Sequence, residues 1–129
     1  MMTDINKLSS RIIAAAIEVH KALGPGLLES AYEECICHEL SLAGLSLERQ
    51  KPLAVQYKGI DLDCGYRLDV VVENTIILEL KSCDKIEPIH KAQLLTYLRL
   101  SGLKLGLLLN FNVPLMRDGI VRIVNELEE

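Results

Sequence analysis

Apolar positions follow a helical rhythm in the first third of the chain and a strand-like rhythm afterwards. Over residues 8–23, Leu8, Ile12, Ile13, Ala16 and Val19 recur at the spacing of one helix face. Gly24-Pro25-Gly26 ends that helix, combining missing Cβ atoms with a missing N–H donor. A second helix is predicted over residues 27–43, with Leu28, Ala31, Tyr32, Cys35, Ile36 and Leu40 as its stripe and Gly44 as its cap. Residues 53–57 then read as a strand, Lys58-Gly59 as a turn, and residues 60–64 as a half-exposed strand alternating apolar and acidic side chains. Residues 66–72 and 75–81 are two more strands separated by Glu73-Asn74, so the pattern predicts an antiparallel meander. Pro88 opens a third helix that Gly102 closes, with Ile89, Ala92, Leu94, Leu95 and Leu98 on its apolar face. Residues 105–111 are almost continuously apolar, as in a strand buried on both faces. Residues 114–119 read as a loop and 120–124 as a final strand. The order ααββββαββ predicts an α/β fold, a mixed β-sheet flanked by helices.

Composition narrows the class. The chain has 129 residues, half of them hydrophobic, which fits one domain over residues 1–129 with a real core. No apolar run approaches the ~20 residues of a membrane span, and Met1 to Lys7 lacks the basic-then-apolar pattern of a leader. A cytoplasmic protein without membrane contact is expected. Cys35, Cys37, Cys64 and Cys83 form no C-x-x-C pair, so reduced, buried thiols are expected rather than zinc or a disulfide. The net charge of −4 gives no electrostatic support for avid binding of nucleic acid. It is consistent with acidic side chains gathered at a metal site, where the cation reverses the local field.

Three ionisable residues interrupt the apolar strands. Asp69 lies in Leu68-Asp69-Val70-Val71-Val72, and Glu79-Leu80-Lys81 closes the run that begins at Ile76. Alternation puts Glu79 and Lys81 on one face of their strand. Charges in strands this apolar need partners or a metal, because desolvating either sign alone is costly. A two-residue Glu73-Asn74 loop would set Asp69 and Glu79 on opposite faces. A three-residue connection, or an equivalent one-residue bulge, brings them to one face. Two carboxylates so placed can hold Mg²⁺ or Mn²⁺, with waters completing the shell. Gln93 and Tyr97, one helical turn apart, can flank the same cleft.

Asp69 followed by Glu79-x-Lys81 resembles the signature of the PD-(D/E)xK nuclease superfamily. Gln93-x-x-x-Tyr97 is similar to the helix motif of its RecB-like branch. Gly26-Leu27-Leu28-Glu29-Ser30-Ala31-Tyr32 is similar to the GxxExxY motif that names a bacterial and archaeal family within the superfamily. Together these cover roughly residues 9–124, with Leu68 standing where the superfamily's name has proline. The resemblance implies a restriction-endonuclease-like core and a metal-dependent nuclease acting on DNA, with RNA as the alternative substrate. It implies Asp69 and Glu79 as metal ligands, Glu29 as a further acid at the metal, Lys81 as the catalytic lysine, and Gln93 and Tyr97 as substrate-positioning residues.

Plainer readings compete with each motif. A lone Glu-x-Lys is usually a surface ion pair of little worth. Glu29 can simply favour a helix N-terminus, and Tyr32 can simply pack. His20, His38 and His90 have no spacing that asks for catalysis. Asp61 and Asp63 follow ordinary solvent-facing alternation, and Arg67, Lys85 and Lys91 are secondary candidates for phosphate contact. The rival function is a non-catalytic nucleic-acid-binding or assembly module that keeps the nuclease fold, favoured by the acidic charge and small size. A small-molecule enzyme of another type finds no phosphate-cradling glycine loop or nucleophile motif. An acidic nuclease of this size would work as a homodimer or with a basic protein partner.

Overall fold

The computed structural model describes residues 4–127; Met1 to Thr3, part of the segment expected to carry no leader, lie outside them. Its elements are α1 (Asp4–Leu23), α2 (Glu29–Leu42), β1 (Leu47–Pro52), β2 (Val55–Tyr57), β3 (Ile60–Leu62), β4 (Arg67–Val72), β5 (Ile76–Lys81), α3 (Pro88–Ser101), β6 (Leu105–Asn110) and β7 (Ile120–Val124). A single 3₁₀ turn, Met116–Gly119, precedes β7. The main sheet runs β1-β4-β5-β6-β7. Only β5 and β6 are parallel, with α3 as their crossover; the other neighbours are antiparallel.

The sheet divides two apolar layers. On one face Ile12, Ala16 and Val19 of α1 and Tyr32, Ile36 and Leu40 of α2 pack on Val70, Val72, Ile76, Leu78 and Leu80 and on alternate residues of β6. On the other, Leu94, Tyr97 and Leu98 of α3 pack on Val71, Ile77 and Leu108. Every residue of β6 is buried, as its unbroken apolar run requires of a central strand. Each fully buried aliphatic side chain contributes about 1.5–3 kcal/mol, so this central strand anchors both layers. Gly106 lets α3 approach: a Cβ there would lie 2.9 Å from Leu94. No helix among the described residues is long and apolar enough to cross a membrane.

The expected class holds, with one strand more than the pattern gives. β1 reads Leu-Glu-Arg-Gln-Lys-Pro; it is an edge strand exposed along most of its length, so no alternation announces it. The expected meander is replaced by one hairpin, β4–β5, within the main sheet, while β2 and β3 form a separate two-stranded ribbon. Ile60 and Leu62 are exposed on that ribbon, so the half-buried strand expected over 60–64 buries neither face. Leu28 and Ile89 also leave their predicted stripes. They are 78% and 69% exposed, the first before α2 begins and the second in the first turn of α3. Of the cysteines only Cys37 is buried, and Cys64 is exposed.

Candidate functional site

The site is set by the hairpin between β4 and β5. Val72 pairs with Ile76, so Glu73, Asn74 and Thr75 form a three-residue connection, the length that puts Asp69 and Glu79 on one face. Glu73 and Asn74 both have φ of 51°, in the left-handed region. Asparagine tolerates it; glutamate needs support. Support comes from Ser46, whose N–H and hydroxyl donate to the Glu73 carboxylate while its carbonyl accepts the Glu73 N–H. Those bonds hold the Glu73 carboxyl below the usual range.

At Asp69 the sheet changes character. Val70 and Val72 face the α1/α2 layer, yet Leu68 packs with the α3 layer, so alternation breaks at Asp69. Arg49 pairs with Val70 and Lys51 with Leu68, which puts Gln50 across from Asp69; Gln50 has φ of 49°. The β4–β5 pairing stops at Val70–Leu78, whereas β5 continues against β6 as far as Lys81–Asn110. Side chains take over from the interrupted ladder. The Leu80 N–H donates to Asp69 Oδ2 at 2.9 Å, and the Asp69 N–H to Glu79 Oε1 at 3.4 Å. Each carboxyl thus accepts a backbone N–H from the neighbouring strand.

Burial makes this pair expensive to ionise. Glu79 is 7% exposed. Desolvation first, then the Asp69 charge, pushes its carboxyl up to about 8, against a smaller opposing pull from Lys81. Asp69 is raised as well, by burial and by the Glu33 charge, with the Leu80 N–H and Lys81 opposing. Burial therefore favours the protonated form of Glu79 at neutral pH. No salt bridge among the described residues reaches either carboxylate. A buried and a half-buried carboxylate without a salt-bridge partner are a hard-oxygen donor set, and that chemistry fits Mg²⁺ or Mn²⁺. No group of three His, Cys, Asp or Glu side chains is gathered for a metal among the described residues, so water would supply most of the shell.

Of the remaining predicted residues, Lys81 and Tyr97 lie within electrostatic range of the pair. Half-buried Lys81 ends β5 close enough for its charge to act on both carboxyls. Tyr97 is buried, and its phenol is raised by desolvation and then by Glu79, Tyr66 and Asp69, so its ring borders the pair. Gln93, one turn earlier, is exposed. Glu29 is exposed in the first turn of α2, and its charge acts on Cys83, just past Lys81, rather than on Asp69 or Glu79. Its motif partners have structural work. The Tyr32 hydroxyl donates to the Gly24 carbonyl at 2.6 Å and accepts the Leu27 N–H at 3.1 Å, while its ring stacks on Phe111 at 4.4 Å. Gly26 has φ of 101°, a conformation that favours glycine. Tyr32 thus fixes the turn that delivers Glu29, and the Ser82 hydroxyl ties the loop after Lys81 to the Leu27 carbonyl at 2.6 Å. From β6, Asn110, 2% exposed, clamps Cys83 through both its N–H and its carbonyl.

Glu33 is the acid that the sequence reading missed. It lies one turn beyond Glu29, and its charge bears on Asp69. Arg49 grips it at 3.1 and 2.8 Å, and the Gln50 side chain donates to it at 2.7 Å. The i, i+4 spacing from Glu29 was the available signal. A groove of about 660 Å³ between the end of α1 and the 114–117 loop is lined by neither Asp69 nor Glu79.

A mixed sheet between helical layers, with Asp and Glu-x-Lys brought together where its central hairpin opens, defines a restriction-endonuclease-like fold. Residues 6–123 match the family described as the PD-(D/E)XK nuclease superfamily, and the chain belongs to that superfamily. Comparison with curated proteins and with solved structures gave no significant match. Membership points to a nuclease-type function and to nucleic acid as the substrate class.

Proposed function

We propose that this protein is a metal-dependent nuclease that hydrolyses phosphodiester bonds of DNA, or less readily RNA, at Asp69, Glu79 and Lys81. The observation that carries the reading is the cross-strand pair of carboxyls where the β4–β5 ladder stops, each accepting a backbone N–H from the other strand, with Lys81 two residues past Glu79. Asp69 and Glu79 would hold Mg²⁺ or Mn²⁺, with Glu29 as a further acid and waters completing the shell. A bound divalent cation supplies Lewis acidity toward the phosphate and lowers the pKa of a bound water. A cation held there would displace the proton that burial favours on Glu79, so affinity would rise with pH. The Lys81 ammonium faces negative charge that grows on the phosphate during in-line attack. Tyr97 closes the α3 side of the site against water, and Gln93, exposed one turn away, reaches the substrate backbone. The Gly26–Tyr32 turn supports placement in the GxxExxY family, and Gln93 with Tyr97 supports the RecB-like branch.

The test is cleavage of single- and double-stranded DNA and RNA with Mg²⁺ or Mn²⁺ by wild type, Asp69→Ala and Lys81→Ala. Each substitution is expected to lower the rate by about 10²-fold or more. Equal activity in all three rejects the site. Titration calorimetry with Mn²⁺ in buffers of different ionisation enthalpy adds a second readout: proton release is expected for wild type and absent in Glu79→Gln. No Mn²⁺ binding favours the non-catalytic module.

A further inference from the structure

We infer that Tyr66 is a base-stacking platform beside the acid pair, and that the strand bound there is single-stranded nucleic acid. The inference takes its site from the nuclease reading and adds the form of the substrate. Tyr66 stands at the base of the β2–β3 ribbon, where its carbonyl accepts the Leu53 N–H at 3.0 Å. Its ring meets Tyr97 with centroids 6.2 Å apart and planes tilted by 56°, yet the residue stays 46% exposed. One part of the ring is therefore braced and the rest is open to solvent. Tyr97 in turn lies within electrostatic reach of Glu79 and Asp69, so the open ring of Tyr66 is one side chain removed from the carboxyls.

An exposed ring at such a place has a specific use. Every base presents a π-face, and base–aromatic stacking holds a strand without reading its sequence. In a duplex those faces are already covered by neighbouring bases. Charge points the same way. Duplex binding draws its affinity mainly from phosphate neutralisation, whereas this chain carries a net charge of −4. Arg49, which pairs with Val70 beside Asp69, has its guanidinium held by Glu33 and Glu34. Arg67 is exposed next to Tyr66, with its guanidinium on the Tyr66 carbonyl at 3.3 Å, and gives a stacked nucleotide one cation for its phosphate. Farther along the same ribbon Tyr57 is also exposed, with the Lys58 ammonium 5.4 Å from its ring centroid. Rings with adjacent cations suit a single strand lying along the ribbon better than a duplex.

The experiment is fluorescence anisotropy in EDTA, which prevents cleavage, using a labelled single-stranded oligonucleotide, its duplex and an abasic strand of equal length. Wild type is expected to bind the single strand most tightly and the abasic strand about tenfold or more weakly. Tyr66→Ala is expected to lose a similar factor on the normal strand and nothing on the abasic one, while Tyr66→Phe stays within about twofold of wild type. Quenching of 2-aminopurine placed in the strand, lost in Tyr66→Ala and kept in Tyr66→Phe, reports the stack directly; circular dichroism checks that the variants fold. Tighter duplex binding, equal affinity for the abasic strand, or an unchanged Tyr66→Ala overturns the inference. Because this assay contains no cleavage step, base-dependent binding without cleavage removes only the nuclease reading. Cleavage without base-dependent binding removes only this one.

Discussion

Replacing Glu79 by glutamine tests the physics of the acid pair through stability alone. In the folded protein Glu79 titrates at about 8 against 4.5 for the free carboxyl, so between those values the folded state holds more protons than the unfolded chain. Stability must then fall as pH rises through this window, by up to about 1.4 kcal/mol per pH unit. Between pH 6 and pH 8 the expected loss is about 2 kcal/mol. For a chain of this size that is a drop of roughly 6–10 °C in Tm. The groups facing Glu79 are Asp69, Lys81 and Tyr97, with Glu33 acting behind Asp69. Asp69 is raised too and adds to the same sign; Tyr97 titrates above the window. Glu34 and Glu73 are lowered, so their contributions are lost only in more acid solution, and Cys37, pushed up to about 11, acts only in more alkaline solution. Glutamine keeps the acceptor for the Asp69 N–H without a titrating proton, and Glu79→Gln should flatten the profile. Thermal denaturation followed by circular dichroism from pH 6 to 8.5, with and without 10 mM Mg²⁺, is the assay. Added Mg²⁺ should raise Tm of wild type more at pH 8 than at pH 6, because a larger fraction of Glu79 is then ionised. A flat wild-type profile, or an equal slope in Glu79→Gln, would refute the burial argument.

Three further outcomes follow from the supporting contacts. Tyr32→Phe strands the Leu27 N–H and the Gly24 carbonyl while keeping the stack on Phe111, and should cost about 1–3 kcal/mol in urea denaturation. Gly119→Ala should destabilise more than an ordinary loop substitution, since a Cβ there falls 2.0 Å from the Asn110 carbonyl oxygen; its urea midpoint should drop clearly below that of wild type. Asn110→Ala should release the Cys83 loop, speeding amide exchange at Cys83 and lowering stability by about 1–3 kcal/mol.

Much of this arrangement was legible because its elements carry strong local signals. β4, β5 and β6 are apolar runs that read as strands; the pattern placed Thr75 in β5, while a shared site for Asp69 and Glu79 required a three-residue connection or a one-residue bulge, and Glu73, Asn74 and Thr75 provide the connection. β1 left no such trace. Its residues are polar, and its place is decided by pairing with β4, a long-range contact outside any local window. The ribbon misled for the converse reason: alternating residues at Ile60 and Leu62 suggested a buried face where none exists. Asp69, Glu79 and Lys81 were readable as charges out of place among aliphatics. Glu33 was not, because on a helix with acids in its first two turns one more glutamate looks like solvent-facing charge. Only the fold shows its charge bearing on Asp69.

The short connection between β4 and β5 also limits how this chain can vary. Side-chain direction along a strand is a two-state property, so the connection carries parity rather than mere length. Losing Thr75, or gaining one residue beside Asn74, would turn Glu79 to the other face of β5 while Asp69 stayed put. Two residues lost or gained together would leave the pair intact. Insertions and deletions at this tip therefore keep the two carboxyls together in even steps and part them in odd ones, a rule on descent written by geometry rather than by the chemistry of any one residue.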